Sequence, residues 1–247
     1  MDERGGFSFN RASDTVGSME SFETIFHRAA NRHGGDDAFR QKLADHYMSP
    51  TGTAKAIPKT MSDDRWLSEF SKRIFQAGFN WSVVENKWMG FEAAFWSFDP
   101  KKCAEIDIDD MERLTSNKAI VRNPVKIKTV APNARMILDM AVQKGSADKF
   151  IRGWASTDYF GLLTYLQKHG SHLGTNTASY ALRFSGVPSI ILSKDVTAAL
   201  IHAQIIDKPA TSKGAKKAVQ AAFNEWTVQS GENLSYVSRV LAHSIDA

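Results

Sequence analysis

The chain is poor in the residues that would tie it to a metal, a disulfide framework or a membrane. A single cysteine, Cys103, stands in 247 residues, which excludes an internal disulfide, a cysteine-rich zinc site and a four-cysteine iron–sulfur cluster. The seven histidines show no ligand spacing. His27 and His33 fall on different faces of a helix, and His169 and His172 flank a turn with no acidic or thiolate neighbour. No metal and no cofactor are therefore expected. No apolar run approaches the roughly 20 residues that cross a bilayer, and the start, Met1-Asp2-Glu3-Arg4-Gly5-Gly6, is polar rather than leader-like. The expectation is a cytoplasmic protein without a membrane partner.

Charge of either sign is also unremarkable in amount: 31 Lys and Arg stand against 27 Asp and Glu, a net charge of +4. This mild basicity permits nucleic-acid binding without demonstrating it, so the choice of partner has to come from motifs. What the chain does have is apolar mass. Hydrophobic residues make up 43%, with six Trp and fifteen Phe, enough to fill a real core and to leave one or two aromatic rings over as stacking plates.

The periodic segments read as helices. Ser21 to His33 places Phe22, Ile25, Phe26 and Ala29 on one face, and Asp36 to Tyr47 forms a second short helix. Met1 to Gly17 is a loose polar arm. Ser49-Pro50-Thr51-Gly52 and Ala56-Ile57-Pro58 then break the chain, dividing an N-terminal arm with helices (residues 1–60) from a main domain (residues 61–247). Ser62 or Asp63 caps the next helix, in which Trp66, Leu67, Phe70 and Ile74 share a face, and Trp81 to Phe98 continues with Val84, Trp88, Phe91 and Phe95. Asp99-Pro100 opens one helix, Asp109 or Asp110 the next, and Pro124 sits near the start of another. Only Val187 to Leu192 looks strand-like. Ser212 opens a helix to Trp226, and Ser230 caps the last. The architecture is expected to be all-α, a helical bundle with a cleft between two lobes.

The organising stretch is Gly170-Ser171-His172-Leu173-Gly174-Thr175-Asn176-Thr177-Ala178, followed by a break at Gly186-Val187-Pro188, an apolar crossing, and Asp195 heading another helix. A glycine turn at a helix start leaves backbone N–H groups facing outward at the positive end of the helix dipole. Gly174, Thr175, Asn176 and Thr177 are thus candidate phosphate contacts. Most such turns only join helices, and Asp195 by itself reads equally as an ordinary helix-start aspartate.

Together these residues resemble the helix-hairpin-helix (HhH-GPD) DNA glycosylases. Leu173-Gly174-x-x-Thr177-Ala178 matches the second half of the hairpin, His172 stands where the family has its first hairpin glycine, and Asp195 falls where the family's essential aspartate belongs. Gln76-Ala77-Gly78-Phe79-Asn80-Trp81, Phe98-Asp99-Pro100-x-Lys102, Ile120-Val121-Arg122-x-x-x-Lys126-Ile127 and Asn133-Ala134-Arg135 resemble the 3-methyladenine DNA glycosylase I branch, so that the likeness runs from about Trp66 to Ile206. The branch usually carries a Cys/His zinc site, which this chain cannot build in that form.

The resemblance implies base-excision repair of damaged duplex DNA: a monofunctional hydrolase that cleaves the N-glycosidic bond of a flipped-out base, an alkylated purine in the family. Asp195 would stabilise the oxocarbenium-like sugar or orient the attacking water. Trp81, which reads equally as a core residue continuing the stripe of Val84 and Trp88, and Phe75 would line the base pocket with Arg73, which occupies the position of the family's base-reading glutamate. A cation there opposes a cationic base and makes neutral lesions plausible substrates. Gln76 would enter the gap left by the flipped base, or serve as a polar helix end, while Arg122, Lys126 and Lys128 would contact phosphates or lie on the solvated surface. Asn176 replaces the Schiff-base lysine of bifunctional relatives, so no strand cleavage is implied. A monomer working on the nucleoid is expected. The rival readings are a catalytically inactive scaffold that binds damaged or distorted DNA, and a helical module that binds protein alone.

Overall fold

The computed structural model describes residues 19–44 and 59–246, and every regular element among them is a helix. The arm from Met1 to Gly17 and the breaks at Pro50 and Pro58 lie outside the described residues. The N-terminal pair is α1 (Phe22–Asn31) and α2 (Asp36–Ala44). Then come α3 (Asp63–Gln76), α4 (Trp81–Asn86), α5 (Trp88–Ala94), α6 (Pro100–Ala104), α7 (Ile108–Ser116), α8 (Pro124–Ile127), α9 (Val130–Lys144) and α10 (Ala147–Arg152). The chain ends with α11 (Tyr159–His169), α12 (Thr175–Phe184), α13 (Lys194–His202), α14 (Lys213–Ser230) and α15 (Leu234–Ser244). None of these helices is long and apolar enough to cross a membrane.

Capping side chains start most of them where short polar residues precede an apolar stripe. Ser21 accepts from Thr24 N, Asp99 from Lys101 N and Ser212 from Ala215 N. Two starts differ from expectation. Asp107 rather than Asp109 or Asp110 caps α7, and Asn233 rather than Ser230 caps α15, because each reaches N–H groups two or three residues ahead. Ser62 precedes α3 without a capping bond, and Asp63 instead accepts from Ala147 N, which ties α3 to the start of α10.

The expected continuous helix from Trp81 to Phe98 is broken. Trp96, Ser97 and Phe98 adopt left-handed φ angles of 50°, 54° and 58°. This reverses the chain so that Phe98 stacks on Trp88 at 5.4 Å, with Phe95 on Phe98 at 5.3 Å and Trp88 on Phe91 at 4.9 Å. Each left-handed residue costs about 1–3 kcal/mol, which burial of four large rings at roughly 25 cal/mol per Å² offsets.

Two lobes result. Helices α3, α6, α9 and α10 pack on one another in the first; α1, α13, α14 and α15 form the second. Helix α12 packs on α3, and α11 touches α9, α12 and α14, so the α11–α12 hairpin sits at the seam. One apolar core runs through both lobes, from Phe22 and Phe26 through Trp66 and Phe75 to Trp226 and Leu241. The N-terminal pair shares it: Trp226 Nε1 donates to Glu20 O at 2.9 Å, and Phe22 N donates to Gln229 Oε1 at 2.7 Å.

Candidate active site

The seam hairpin is held from below. Helix α11 ends at Gly170, where a Cβ would lie 2.7 Å from Leu166 O and 2.9 Å from Asn133 Oδ1, so only glycine fits. His172 follows with φ 58°. The hairpin therefore keeps a left-handed residue at the position where the resembled family places glycine, and a histidine adopts it. Leu173 is buried beneath the turn. Gly174 starts α12 with no capping side chain and with open space around its Cα. The N–H groups of the first turn, at Thr175, Asn176 and Thr177, accordingly have no intrahelical acceptor and suit an anion. These residues, with Leu192, Thr197 and Lys216, line a concave surface of about 500 Å³. Lys216 was visible in the sequence only as one of three lysines opening a helix; the fold of α14 brings it to the hairpin.

Asp195 lies on the far side of the crossing from α12. Val187 to Leu192 is extended but pairs with no strand, since side chains satisfy its backbone: Ser189 N donates to Ser235 Oγ (3.0 Å), Ile191 N to Ser238 Oγ (3.2 Å), and Tyr159 Oη to Ile190 O (3.3 Å). The cap of α13 is Ser193, whose Oγ accepts from Val196 N at 3.2 Å. Asp195 is thus relieved of capping. Its carboxylate is half-buried and takes no hydrogen bond from any described residue. Thr197, two positions on, shares the concave surface with the hairpin.

A second cluster forms where α3 and α4 meet α12. Trp81, at the start of α4, points edge-on at Tyr180 (5.7 Å) and Phe184 (6.2 Å), and Tyr180 stacks loosely on Phe184 (6.4 Å). All three rings are half-buried. Beneath them the Arg73 guanidinium lies 4.0 Å from the Phe184 ring centre and 5.6 Å from that of Trp81, a cation–π contact worth on the order of 1 kcal/mol or more when desolvated. Arg73 is 6% exposed. Its Nε donates to Glu69 Oε1 at 2.5 Å and its Nη1 to Gln76 Oε1 at 2.6 Å. The chain of bonds continues from Gln76 Nε2 to Glu85 Oε1 at 3.0 Å, with Lys72 Nζ on the other Glu85 oxygen at 3.2 Å. Sequence inspection missed Glu69. Its signal was the i, i+4 spacing to Arg73 on a buried face.

Three expected site residues stand elsewhere. Gln76 is 0% exposed with both ends of its amide bonded, so it does not face the surface that would meet DNA. Phe75 is likewise 0% exposed and packs on Phe91 at 4.6 Å inside the first lobe, away from the Trp81 cluster. The large apolar side chain exposed on that turn is Phe79. Lys126 directs Nζ to Phe75 O (3.1 Å) and Ala77 O (2.6 Å), neutralising the negative end of α3 rather than reaching outward. Burial lowers its pKa. Of the three expected cations, Arg122 and Lys128 are exposed.

The resembled family's zinc site does not fit the donors present. Cys103 is fully buried with Sγ 3.3 Å from Phe95 O, and burial, aided by Asp99 and Asp110, pushes its thiol up to about 12. No three His, Cys, Asp or Glu side chains converge among the described residues.

Comparison with known proteins adds sequence evidence. A model of the methyladenine glycosylase family matches residues 56–179. DNA-3-methyladenine glycosylase 1 of Escherichia coli (strain K12) is 40% identical over 78 residues, covering 28% of this chain and 42% of that protein. The DNA-3-methyladenine glycosylase of Haemophilus influenzae is 34% identical over 65 residues, covering 26% and 35%. The chain thus aligns with less than half the length of these curated relatives. A crystal structure of 3-methyladenine DNA glycosylase I superposes with a TM-score of 0.48 at 24% identity, over 53% of this chain and 81% of that one. The family match includes Arg73, Trp81 and the hairpin and stops before Asp195.

Proposed function

Because the chain belongs to the methyladenine glycosylase family, we propose that it is a monofunctional DNA N-glycosylase, excising a damaged purine flipped out of duplex DNA. The hairpin N–H groups of Thr175, Asn176 and Thr177, with Lys216 beside them, hold a backbone phosphate. The half-buried Trp81, Tyr180 and Phe184 rings receive the base. Asp195 faces the sugar. As the C1′–N bond breaks, its electron pair leaves with the base and positive charge grows on the deoxyribose. The carboxylate stabilises that charge and orients the water whose oxygen bonds to C1′, while the water proton passes to solvent or to the departing base. Asn176 offers no amine, so no Schiff base forms and the product is an abasic site.

The observation that carries this reading is the division of labour at the start of α13. Ser193 performs the capping, which leaves the half-buried Asp195 carboxylate without a hydrogen bond to any described residue.

The test is base release from methylated and deaminated duplex DNA, read by mass spectrometry, with wild type beside Asp195→Asn. Release should fall by on the order of 100-fold or more in the variant, with binding to an abasic duplex nearly unchanged. Equal release by both would sink the assignment. Binding of lesion DNA without any release would instead favour the inactive scaffold.

A further inference from the structure

The aromatic cluster that would take the base already contains a cation. Arg73 lies against Phe184 and beneath Trp81, so the faces best suited to a positively charged ring are turned to a guanidinium held within the protein. Glu69 balances its charge at 2.5 Å. Simple repulsion of a cationic base is therefore muted, and what remains is competition: an N-alkylated, positively charged purine would have to share these rings with a fixed cation.

The same guanidinium offers something to another kind of base. Its Nε is bound to Glu69 and its Nη1 to Gln76. Nη2 has no acceptor among the described residues. Gln76 cannot rotate to supply one, because its Nε2 is bound to Glu85, which Lys72 holds in turn. An N–H donor held in place by its neighbours and left without a protein acceptor favours a ligand that brings an acceptor with it, and disfavours one that brings an amino group.

Building on the glycosylase reading above, we propose that Arg73 determines specificity and that the half-buried Trp81–Tyr180–Phe184 cluster takes a neutral purine bearing an exocyclic carbonyl, as produced by deamination, in preference to a cationic N-alkylated purine. The carbonyl oxygen accepts from Arg73 Nη2. The Glu69–Arg73–Gln76–Glu85 chain keeps that donor in place while the rings cover the base.

The experiment compares single-turnover release of hypoxanthine from a duplex carrying one hypoxanthine with release of 3-methyladenine from dimethyl-sulfate-treated duplex. Both are run with wild type, Asp195→Asn and the charge-balanced double variant Glu69→Gln/Arg73→Gln. Wild type is expected to favour hypoxanthine by roughly tenfold or more, and the double variant to lose that preference by a similar factor. Faster release of 3-methyladenine by wild type, abolished in Asp195→Asn, would overturn the carbonyl preference while leaving the glycosylase reading in place. No release of either base by wild type would remove both. The wild-type ratio decides the matter even if the double variant fails to fold. If it folds with an unchanged preference, Arg73 is structural and the proposal is wrong.

Discussion

The side-chain amide of Asn133 on α9 closes both backbone groups of Ser171 in the hairpin: Oδ1 accepts from Ser171 N at 2.7 Å, and Nδ2 donates to Ser171 O at 3.1 Å. Asn133 is fully buried. This pair fixes the turn that precedes the N–H groups at Thr175 to Thr177, from a helix of the first lobe. Asn133→Ala leaves two peptide groups unpaired in a partly buried turn and should lower stability by about 2–3 kcal/mol. Asn133→Asp should fail similarly at neutral pH, because a carboxylate accepts from Ser171 N but confronts Ser171 O with a second acceptor. Urea denaturation together with affinity for an abasic duplex would check this. Loss of under about 0.5 kcal/mol in Asn133→Ala would mean that the turn holds itself.

His172 offers the opposite case, a residue whose replacement should help. A non-glycine side chain at φ 58° suffers a contact between Cβ and backbone that glycine lacks. The His172 ring is exposed and meets only Ser171 Oγ at 3.2 Å. His172→Gly should therefore raise stability by about 1 kcal/mol, tempered by the greater freedom of glycine in the unfolded chain. A decrease in the urea midpoint would show that the imidazole does something here that backbone relief cannot replace.

The helical class was legible because nearly every apolar stripe follows a 3.6-residue period, and because short polar residues sit before the stripes that they cap. The hairpin was legible for a different reason: Gly170 and Gly174 flank it, and Gly170 is held to glycine by the contact with Leu166 O. What local pattern could not carry was the reversal at Trp96 to Phe98. Trp96 and Phe98 have no turn chemistry of their own, and the left-handed run accompanies the stacking of Phe98 on Trp88. The site divides in the same way. Arg73 stood out by its position, but its meaning depends on Glu69 one turn earlier and on Phe184 111 residues later, a contact set by how α12 docks on α3. Gln76 and Lys126 read as outward polar groups; Gln76 is drawn in by Arg73 and by Glu85 of the next helix, and Lys126 by carbonyls at the end of α3, distant in sequence.

The docking of the N-terminal helices on the C-terminal ones has its own pH dependence, centred on His33. The ring stacks on Phe39 at 5.3 Å and meets the edge of His243 at 4.8 Å, and Lys42 Nζ lies 3.2 Å from its Nδ1. A lysine donating to Nδ1 requires a neutral imidazole. Burial lowers the His33 pKa below 6.5, Lys42 and Arg32 push it down further, and Asp246 works weakly the other way. The folded state therefore binds this proton less tightly than the unfolded state does. Its contribution is complete above pH 6.5 and is lost as pH falls below that value toward the depressed folded pKa, because only the unfolded chain gains from protonation. His33→Gln removes this titration, so the difference between the two proteins reports on His33. Urea midpoints measured at descending pH should fall more steeply for wild type than for His33→Gln. Parallel profiles would show that Lys42 swings aside on acidification and that the junction between α1 and α15 tolerates a charged ring.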